Sequence, residues 1–482
     1  MRERARFAPS PTGPLHIGGV RTALFSYLMA KKNNGEFILR IEDTDSKRTI
    51  DGAEQHIIDS LNWLGLKFDE GPIKQSERTH IYKERIKELI KSGLAYYAFD
   101  TASELEEARN EAETSFKYNF LSRKNMSNSL TLSEDEVKSR LEREAYVVRM
   151  IIPENETVNV VDQVRGKLSF KSEELEDKII MKSDGMPTYH FANVVDDYEM
   201  NITSVIRGEE WLSSLPLHIL LYKHFGWEPP KFYHLPLILK STGSGKLSKR
   251  DAEEQGHPVY AVNWQGSTGF KEAGFTSEGL INYLGLLGWN NSSNKEKYSI
   301  NELIDSFNDT EINKSGARFD YKKAVWINHL HLKKFSAEKI LTLANRTSDS
   351  LIQKYSLEKS EEIVDLIKER LNTTLDIDKE LSVFLSQPKG YDSVAIEKID
   401  RGLIYDVLNF CKLNKDLISD PYSLKNQLLS FGSEQGISFG NIMKSLRLCL
   451  VGNLSGPDLF KIIEILGPEE TLNRIESLTN KI

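Results

Sequence analysis

Residues 9–19 are the first segment whose composition suits chemistry, and they read PSPTGPLHIGG. Glycines let a backbone approach a ligand closely, and a helix N-terminus supplies free N–H groups and the positive end of a dipole. His16 adds a ring that can donate a hydrogen bond to a phosphate oxygen. The segment therefore suits a nucleotide phosphate, although a Gly/Pro-rich turn taken alone is more often only a turn.

A second segment, residues 243–250, reads GSGKLSKR. Lys246, Lys249 and Arg250 place three cations within five residues on a loop of small residues. Such a loop can neutralise a triphosphate and the charge that develops on a leaving pyrophosphate. Taken alone, a loop of this kind is more often a solvated basic surface.

The elements that hold these segments are predicted from hydrophobic spacing. Apolar side chains recur at i, i+3, i+4, i+7 and i+8 from Val20 onward, which predicts a helix over about 19–32. Strands are expected on either side of it, at 4–8 and 37–41. Strand, helix and strand in this order predict a right-handed βαβ unit of a parallel sheet.

The rest of the chain changes texture twice. From about residue 100 a polar helical stretch leads into short strands, which indicates an inserted α+β unit, and the α/β pattern resumes near Met186. Beyond residue 330 only amphipathic helices are predicted. The further predicted elements are helices over 52–64, 77–91 and 213–225, strands at 146–152, 158–161, 166–170 and 203–206, and an apolar run at 232–239.

Length and composition bound the class of protein. A chain of 482 residues is expected to form about three to five domains, and 39% hydrophobic with 28% charged residues is typical of a soluble globular protein. No apolar run has the roughly 18 residues of a membrane span, and no signal peptide is recognised at the start. The net charge of −8 gives no global basic signature, but a local basic face would be enough for RNA contact.

Only two cysteines are present, Cys411 and Cys449. Two thiols provide no disulfide framework and cannot alone complete a four-ligand zinc site. We therefore expect a reducing, cytoplasmic location, and we expect both thiols to be core residues in apolar helices.

Together the two glycine-rich segments resemble the HIGH and KMSKS signatures of the class I aminoacyl-tRNA synthetases. His16-Ile17-Gly18-Gly19 matches the first signature, and residues 246–250, KLSKR, match the second. Gly19 replaces the second His of the first signature, and Leu and Arg replace Met and Ser in the second. These variants are familiar in the glutamate branch of that family.

Four further motifs resemble the glutamyl-tRNA synthetase branch. They begin at residues 6, 40, 188 and 206 and read RFAPSPTG, RIEDTD, TYHFANVVDD and IRGEEW. A dicarboxylic amino acid presents two carboxylates and one ammonium, which suit guanidinium forks and carboxylate or hydroxyl acceptors respectively. The resemblance assigns six residues to glutamate, namely Arg6, Ser10, Glu42, Tyr189, Asn193 and Arg207, with Trp211 as a wall.

The resemblance also implies the reaction and its reagents. ATP would activate L-glutamate to glutamyl-adenylate once tRNA is bound, and the glutamyl group would pass to the 3′-terminal adenosine of tRNA(Glu). Mg²⁺ is expected beside the β- and γ-phosphates. No covalent nucleophile is needed, because positioning and charge neutralisation carry such transfers. The residues implied for ATP are His16, Gly18, Lys246, Ser248 and Lys249, of which His16, Lys246 and Lys249 are implied to be catalytic.

By resemblance the chain has a Rossmann-type α/β catalytic domain with an α+β insertion, followed by an all-α anticodon-binding region. The implied segments are 1–80 and 187–240 for the catalytic domain, 81–186 for an insertion that binds the acceptor end, 241–323 for a connecting domain that contacts the stem, and 324–482 for the helical region, which divides near 376. Arg370 would face the third anticodon base. Residues 256–268 have no predicted function. The insertion lacks cysteine, so zinc is not expected, and relatives of this type are commonly monomers.

Four alternatives are compatible with the sequence to different degrees. An enzyme that glutamylates a modified base of one tRNA would lack an anticodon domain, so the length of 482 residues argues against it. A glutamine–tRNA ligase shares the N-terminal motifs, but such relatives end in β-barrels, whereas this C-terminus is predicted to be helical. A non-discriminating enzyme would also place glutamate on tRNA(Gln). A catalytically inactive paralogue that only binds tRNA would be expected to lose the ATP motifs, yet His16, Lys246 and Lys249 are all present.

Overall fold

The predicted strand–helix–strand unit opens the computed structural model, which describes residues 2–112, 116–290 and 293–481. The strands of this part of the chain are β1 (Arg4–Phe7), β2 (Glu36–Ile41), β3 (Glu70–Lys74), β4 (Ala95–Ala98), β5 (Val147–Met150), β6 (Thr157–Asp162), β7 (Gly166–Lys171), β8 (Ile179–Met181), β9 (Ser204–Gly208), β10 (Lys231–Leu235), β11 (Ile238–Leu239) and β12 (Ala317–Arg318).

The α-helices of the described residues alternate with the strands in the first part of the chain and follow one another without strands in the last part. They are α1 (Ile17–Lys32), α2 (Ala53–Trp63), α3 (Thr79–Lys91), α4 (Ala102–Glu111), α5 (Glu134–Arg143), α6 (Tyr189–Glu199), α7 (Leu215–Phe225), α8 (Lys249–Glu253), α9 (Ser277–Leu286), α10 (Ile300–Ser306), α11 (Tyr321–Leu332), α12 (Ala337–Ala344), α13 (Arg346–Tyr355), α14 (Leu357–Ile367), α15 (Leu375–Leu385), α16 (Ser393–Lys398), α17 (Arg401–Leu413), α18 (Pro421–Gln435), α19 (Phe439–Val451) and α20 (Leu459–Thr479).

The chain divides into two compact units. The first consists of Met1–Glu272 and Leu280–Ala324, and the second of Ala273–Gly279 and Val325–Ile482. Within the described residues, no helix is long and apolar enough to cross a membrane.

A seven-stranded sheet forms the centre of the first unit, in the order β3-β2-β1-β9-β10-β6-β7. Every neighbouring pair from β3 to β6 is parallel, and only the β6–β7 hairpin is antiparallel. Strands buried on both faces carry continuous apolar runs, as β2 does over residues 37–39, whereas β1 alternates apolar residues with Arg4 and Arg6. The predicted parallel α/β domain is confirmed.

α1 shows why the sequence folds locally as predicted. Val20, Leu24 and Leu28 recur at helical spacing and are fully buried. The helix ends at a turn where Asn34 adopts φ 51°, which asparagine tolerates better than most residues. Gly35 follows, and a Cβ there would lie 2.2 Å from the backbone oxygen of Glu3. Glycine is therefore required where the chain turns into β2.

The inserted α+β unit consists of two parts. β4, β5 and β8 form a separate antiparallel sheet, whereas the β6–β7 hairpin joins the main sheet through the pairing of Asp162 with Phe232 on β10. The strands of the hairpin are confirmed, but β3, β4 and β8 are absent from the prediction. β3 contains Gly71 and Pro72, which signal a turn, and β8 is only three residues long.

The second unit is built from helices, as predicted for the residues after 330 that the structure describes. Its core is one apolar cluster to which every helix from α11 to α20 contributes fully or almost fully buried residues. Several helices begin with a side-chain cap, for example Asp458 on α20, which accepts a hydrogen bond from the Lys461 N–H at 2.9 Å.

Candidate active site

The chain order of the strands reverses at β1, which lies between β2 and β9 in the main sheet. In open parallel sheets, ligands bind beyond the carboxyl ends of the strands at such a reversal. Arg6 lies near the carboxyl end of β1, Glu42 directly follows β2, and Arg207 lies near the carboxyl end of β9. The topology therefore brings three predicted glutamate-binding residues to one edge of the sheet.

Two of these residues belong to a buried group of ion pairs. Asp197 on α6 accepts hydrogen bonds from Arg6 at 3.1 and 3.2 Å and from Arg40 at 2.7 Å. Arg40 also donates to Glu42 at 3.1 Å, and Asn193 Nδ2 donates to the same carboxylate oxygen at 2.8 Å. Asn193 Oδ1 in turn accepts a hydrogen bond from Arg6 at 3.5 Å. The group forms a closed ring of polar contacts.

Burial and charge act against each other in this ring. Burial raises the pKa of Glu42, and the charges of Arg40 and Arg6 oppose the rise. Burial alone would also raise the pKa of Asp197, but the charges of Arg6 and Arg40 lower it below its ordinary value. Asp197 is therefore a fixed anion between two cations, which leaves Arg6 held in place by its own counter-charge.

Arg207 is a buried cation with partners of a different kind. Its Nε donates to His234 Nε2 at 2.9 Å, and its Nη1 donates to the Tyr189 hydroxyl at 3.2 Å. Nη1 also lies 3.3 Å from His218 Nδ1, while Nη2 is buried and has no partner among the described residues. None of the ion pairs in the described part of the chain involves Arg207. A ligand carboxylate would therefore supply both the missing hydrogen bond and the missing counter-charge.

α6 positions two predicted residues one turn apart, because Tyr189 begins the helix and Asn193 follows four residues later. Burial raises the pKa of Tyr189 to about 12, so its hydroxyl keeps its proton at neutral pH. The ring of Trp211 lies 4.6 Å from that of Tyr189 between centroids, and its role as a wall of the glutamate site stays a prediction.

Ser10 lies apart from the buried residues, on an exposed part of the loop that follows β1. The loop is fastened beside the buried group, because the Glu42 N–H donates to the Pro9 carbonyl at 3.0 Å. The structure thus brings five of the six predicted glutamate residues to one edge of the sheet, four of them buried and Tyr189 half-buried, and leaves Ser10 exposed beside them.

His16 is the N-cap of α1, where its Nδ1 accepts a hydrogen bond from the Gly18 N–H at 3.2 Å. Nδ1 therefore carries no proton, and the proton of the neutral ring is on Nε2. Nε2 is buried and has no partner within the described residues. Burial and the charge of Lys246 lower the pKa of His16 to about 4. Near neutral pH the ring consequently presents a free N–H donor.

The lysine loop carries cations that are loosely held. Lys246 pairs with Glu210 at 2.9 Å, and Lys249 pairs with Glu253 at 3.4 Å. All four side chains are substantially exposed, so these pairs contribute only about 0–1 kcal/mol each and can be exchanged for a ligand. Ser248 is engaged as the N-cap of the short helix α8.

Tyr260 connects the two predicted phosphate segments. Its ring lies 6.3 Å from that of His16, edge to face, and Lys249 Nζ lies 5.8 Å from its centroid. The carbonyl of Val259 accepts a hydrogen bond from the Ile17 N–H at 2.8 Å, which fastens the same segment to the start of α1. Residues 256–268, for which the sequence predicts no function, therefore hold the two segments together.

The sequence does not predict two residues that hold Arg207, one by direct contact and one through the first. His234 stands in the apolar run 232–239, where a lone polar residue was the available signal, and Asp162 precedes a tight turn at the end of β6. The two side chains lie 2.7 Å apart between His234 Nδ1 and Asp162 Oδ2. Their contact joins distant parts of the chain, so no local pattern predicts it.

The possible metal-ligand and thiol side chains complete the description of the reactive groups. The residues that the structure describes contain no group of three or more His, Cys, Asp or Glu side chains that could hold a metal ion. Cys411 and Cys449 are buried in the second unit, and burial raises the pKa of each to about 12. Neither thiol can supply a thiolate nucleophile at neutral pH.

Arg370 lies in the second unit, directly after α14. It pairs with Glu380 at 2.7 Å and donates to the Ser455 hydroxyl at 3.1 Å and to the Gly456 carbonyl at 3.2 Å. Its guanidinium lines a surface pocket of about 550 Å³ together with residues of α15 and of the loop before α20. The predicted anticodon contact is not tested by this geometry and stays a prediction.

Comparison with known proteins gives a family for most of each unit. Residues 3–326 match the family described as tRNA synthetases class I (E and Q), catalytic domain, and residues 336–479 match an anticodon binding domain. Glutamate–tRNA ligases of Azobacteroides pseudotrichonymphae and Flavobacterium psychrophilum are 47% and 46% identical to this chain, over 99% and 98% of both lengths.

Solved structures agree with the sequence relatives. The crystal structure of a glutamate tRNA ligase from Elizabethkingia meningosepticum in complex with its amino acid is 42% identical, has a TM-score of 0.91, and covers 100% of this chain and 99% of its own. The glutamate–tRNA synthetase of Elizabethkingia anophelis is 42% identical, with a TM-score of 0.88 and complete coverage of both chains. The chain belongs to the class I tRNA synthetase family that contains these glutamate–tRNA ligases.

Proposed function

We propose that this chain activates L-glutamate with ATP and joins it to the 3′ end of tRNA(Glu). In the first step, the α-carboxylate of glutamate attacks the α-phosphorus of ATP, and pyrophosphate leaves. In the second step, a ribose hydroxyl of the terminal adenosine attacks the carbonyl of the mixed anhydride, and AMP leaves. Full-length relatives that carry the name glutamate–tRNA ligase support this activity.

The observation that carries the proposal is the arrangement of charge at the sheet reversal. Arg6 is balanced by Asp197, whereas Arg207 is buried without a carboxylate partner among the described residues. A buried cation of this kind is costly unless an anion pairs with it. A dicarboxylic amino acid would supply that anion, while its ammonium would lie near Glu42 and Ser10.

His16 would act on the phosphates as a neutral hydrogen-bond donor. Its Nε2 is buried without a partner among the described residues, and its proton is fixed there by the Gly18 contact to Nδ1. A preformed donor of this kind stabilises charge on phosphate oxygens without reorganisation. Gly18 is engaged in holding the ring, so its predicted contribution to ATP binding would be through His16.

Lys246 and Lys249 would move from their exposed carboxylate partners to the triphosphate, with Ser248 fixing the end of the loop. Mg²⁺ would be bound by the phosphate oxygens and would neutralise part of their charge. Charge on the departing pyrophosphate would then be stabilised mainly by the two lysines.

The remaining segments take their proposed roles from the family. Residues 1–80 and 187–240 would form the catalytic domain, 81–186 would bind the acceptor end, and 241–323 would contact the stem. Residues 324–482 would read the anticodon, with a division near 376. Arg370 would contact the third anticodon base, and its present partner Glu380 would be displaced or would orient it. A monomeric, cytoplasmic enzyme fits this assignment.

The proposal is tested with purified chain, ATP, Mg²⁺ and labelled glutamate, with tRNA(Glu) and tRNA(Gln) transcripts supplied separately. We expect label on tRNA(Glu) alone. Label on both transcripts would retain the chemistry but replace selective charging with a non-discriminating role. No label on either would overturn the proposal and favour an inactive RNA-binding paralogue. A reaction with labelled glutamine is the control for amino-acid selectivity.

A further inference from the structure

The partners of Arg207 determine where the protons of the surrounding histidines lie. A guanidinium only donates hydrogen bonds, so each histidine nitrogen that faces it must be an unprotonated acceptor. His234 presents Nε2 to Arg207 at 2.9 Å, and His218 presents Nδ1 at 3.3 Å. Both rings are therefore neutral, and each carries its single proton on the nitrogen that points away from Arg207.

Each proton has an acceptor on the far side. His234 donates from Nδ1 to Asp162 Oδ2 at 2.7 Å, and His218 donates from Nε2 to His190 Nδ1 at 3.3 Å. Burial lowers the pKa of His234, and it lowers that of His218 well below 6.5 with help from the charge of Arg207. Neutral rings on both sides thus fix the guanidinium without cancelling its charge.

Asp162 belongs to the β6–β7 hairpin, and its orientation is itself fixed. Its Oδ1 accepts hydrogen bonds from the N–H groups of Val164 at 3.0 Å and Arg165 at 2.8 Å. Oδ1 also accepts from the His234 backbone N–H at 3.5 Å, so Oδ2 is the oxygen that faces the ring, whose Nδ1 must then be protonated. His234 and Arg207 are direct neighbours on the paired strands β10 and β9, so the hairpin reaches the guanidinium through a single side chain.

We propose that His234, oriented by Asp162, is a positioning residue that directs Arg207 Nη2 towards the carboxylate of the amino-acid substrate. The inference rests on the proposed function. Because Nε is occupied by His234 and Nη1 by Tyr189 and His218, Nη2 is the donor left for a ligand. A carboxylate in place of His234 would neutralise Arg207, whereas a neutral imidazole leaves that task to the substrate. The pair therefore also favours glutamate over its uncharged amide.

Asp162→Asn tests the inference without changing the shape of the side chain. The two turn N–H groups require oxygen at the Oδ1 position, so the new amide nitrogen faces His234 Nδ1. The ring must then accept at Nδ1 and carry its proton on Nε2, where it meets the N–H of Arg207. Loss of this hydrogen bond to a charged group is expected to raise KM for glutamate about 10- to 100-fold. KM for ATP and for tRNA should change less than about twofold.

A conservative replacement of His234 separates positioning from packing. In His234→Gln, the amide oxygen can accept from Arg207 and the amide nitrogen can donate to Asp162, so KM for glutamate should stay within about threefold of wild type. His234→Leu fills the space but makes neither bond, and it should behave like Asp162→Asn. Asn159→Ala removes an exposed contact to Ser169 on the same hairpin and is the control for damage to its fold.

Nitrogen NMR of the wild-type chain, with histidine labelled in the ring, gives a readout that needs no variant to be active. The His234 signals, assigned by their loss in His234→Gln, should show a neutral ring protonated at Nδ1. A ring protonated at Nε2, or an unchanged KM for glutamate in Asp162→Asn, would overturn the inference while wild-type charging stands. Absence of charging by the wild-type chain would instead overturn the proposed function and, with it, the substrate role of Arg207.

Discussion

Asp197→Asn is expected to destabilise the first unit more than any exposed charge change. Asp197 is almost fully buried, and it accepts from Arg6 and Arg40 through Oδ1 and from Arg6 through Oδ2. An asparagine keeps the shape of the side chain, and its oxygen would take the Oδ1 position because two donors converge there. Its amide nitrogen would then face a guanidinium N–H of Arg6, and one negative charge would be lost between two buried cations.

The expected cost follows from the burial. Removal of one partner of a buried ion pair costs about 3–5 kcal/mol, because the other charge stays buried without compensation. Asparagine preserves the Oδ1 hydrogen bonds, so we expect the lower end, a loss of about 3 kcal/mol in the free energy of unfolding. Arg40 would keep Glu42 at 3.1 Å and Asp196 at 4.0 Å, so the charge left without compensation is mainly that of Arg6.

The effect should also depend on pH. Since Arg6 and Arg40 lower the pKa of Asp197, its ionisation stabilises the folded chain above the unfolded pKa of about 3.9. This stabilisation is lost as the pH falls through the lower, folded-state pKa. The difference in free energy of unfolding between wild type and Asp197→Asn should therefore be full at pH 7, begin to shrink below about pH 4, and vanish only below the folded-state pKa of Asp197.

Urea unfolding followed by tryptophan fluorescence is a suitable assay. Five of the six tryptophans lie in the first unit, namely Trp63, Trp211, Trp227, Trp264 and Trp289, so the signal reports mainly on the unit that contains the change. Glu88→Gln is the matched control, since it removes the charge of an exposed pair with Arg85 and should cost about 0.5 kcal/mol or less. Equal losses for the two variants would refute the reasoning, because Asp197 would then not hold a net stabilising charge.

Three further predictions follow from the geometry of the two units. His16→Ala removes one preformed donor to the phosphates, so pyrophosphate exchange that depends on tRNA and glutamate should fall about 10²- to 10³-fold. Binding of tRNA, measured by a filter assay, should stay intact. Between pH 8 and 6 the exchange rate should show no titration of His16, whose pKa is lowered to about 4, and a fall centred near 6.5 would contradict the buried neutral ring. Arg370→Gln should change the ratio of kcat/KM for tRNA(Glu) and tRNA(Gln) without changing KM for glutamate, and an unchanged ratio would exclude the anticodon contact.

The parts of the fold that the sequence predicts are those with local causes. The βαβ unit, α7 and the β6–β7 hairpin follow from periodicity and turn residues within each segment. β3 is missed because Gly71 and Pro72 imitate a loop signal, although an edge strand tolerates both. Tertiary pairing with β2 decides that segment, and a local pattern does not report such pairing.

The candidate site likewise contains residues that the sequence predicts and contacts that it does not predict. Residues within recognised motifs, such as Arg6 and Arg207, are predicted by type and position, and the structure places them at one edge of the sheet. The contacts that fix them are not predicted, because Asp162, Asp197 and Tyr260 act across long separations in sequence, even though Asp197 itself ends a recognised motif. What a motif supplies is the reacting group, whereas the orientation of that group depends on contacts that only the folded chain brings together.

The cations of the first unit differ in how their charge is balanced and how firmly they are held. This difference indicates how one domain can bind an amino acid and a triphosphate by different means. Arg6 is balanced by a buried carboxylate, so it can position a ligand without strongly attracting charge. Arg207 is held by neutral rings, so its charge is available and immobile, which suits a small amino acid whose carboxylate must be recognised by position. Lys246 and Lys249 are exposed and weakly paired, so their charge is available and mobile, which suits a triphosphate whose charge moves as pyrophosphate leaves. Exchange of these roles would fail for a physical reason, because a mobile lysine in place of Arg207 would lose the fixed direction that distinguishes a carboxylate from an amide.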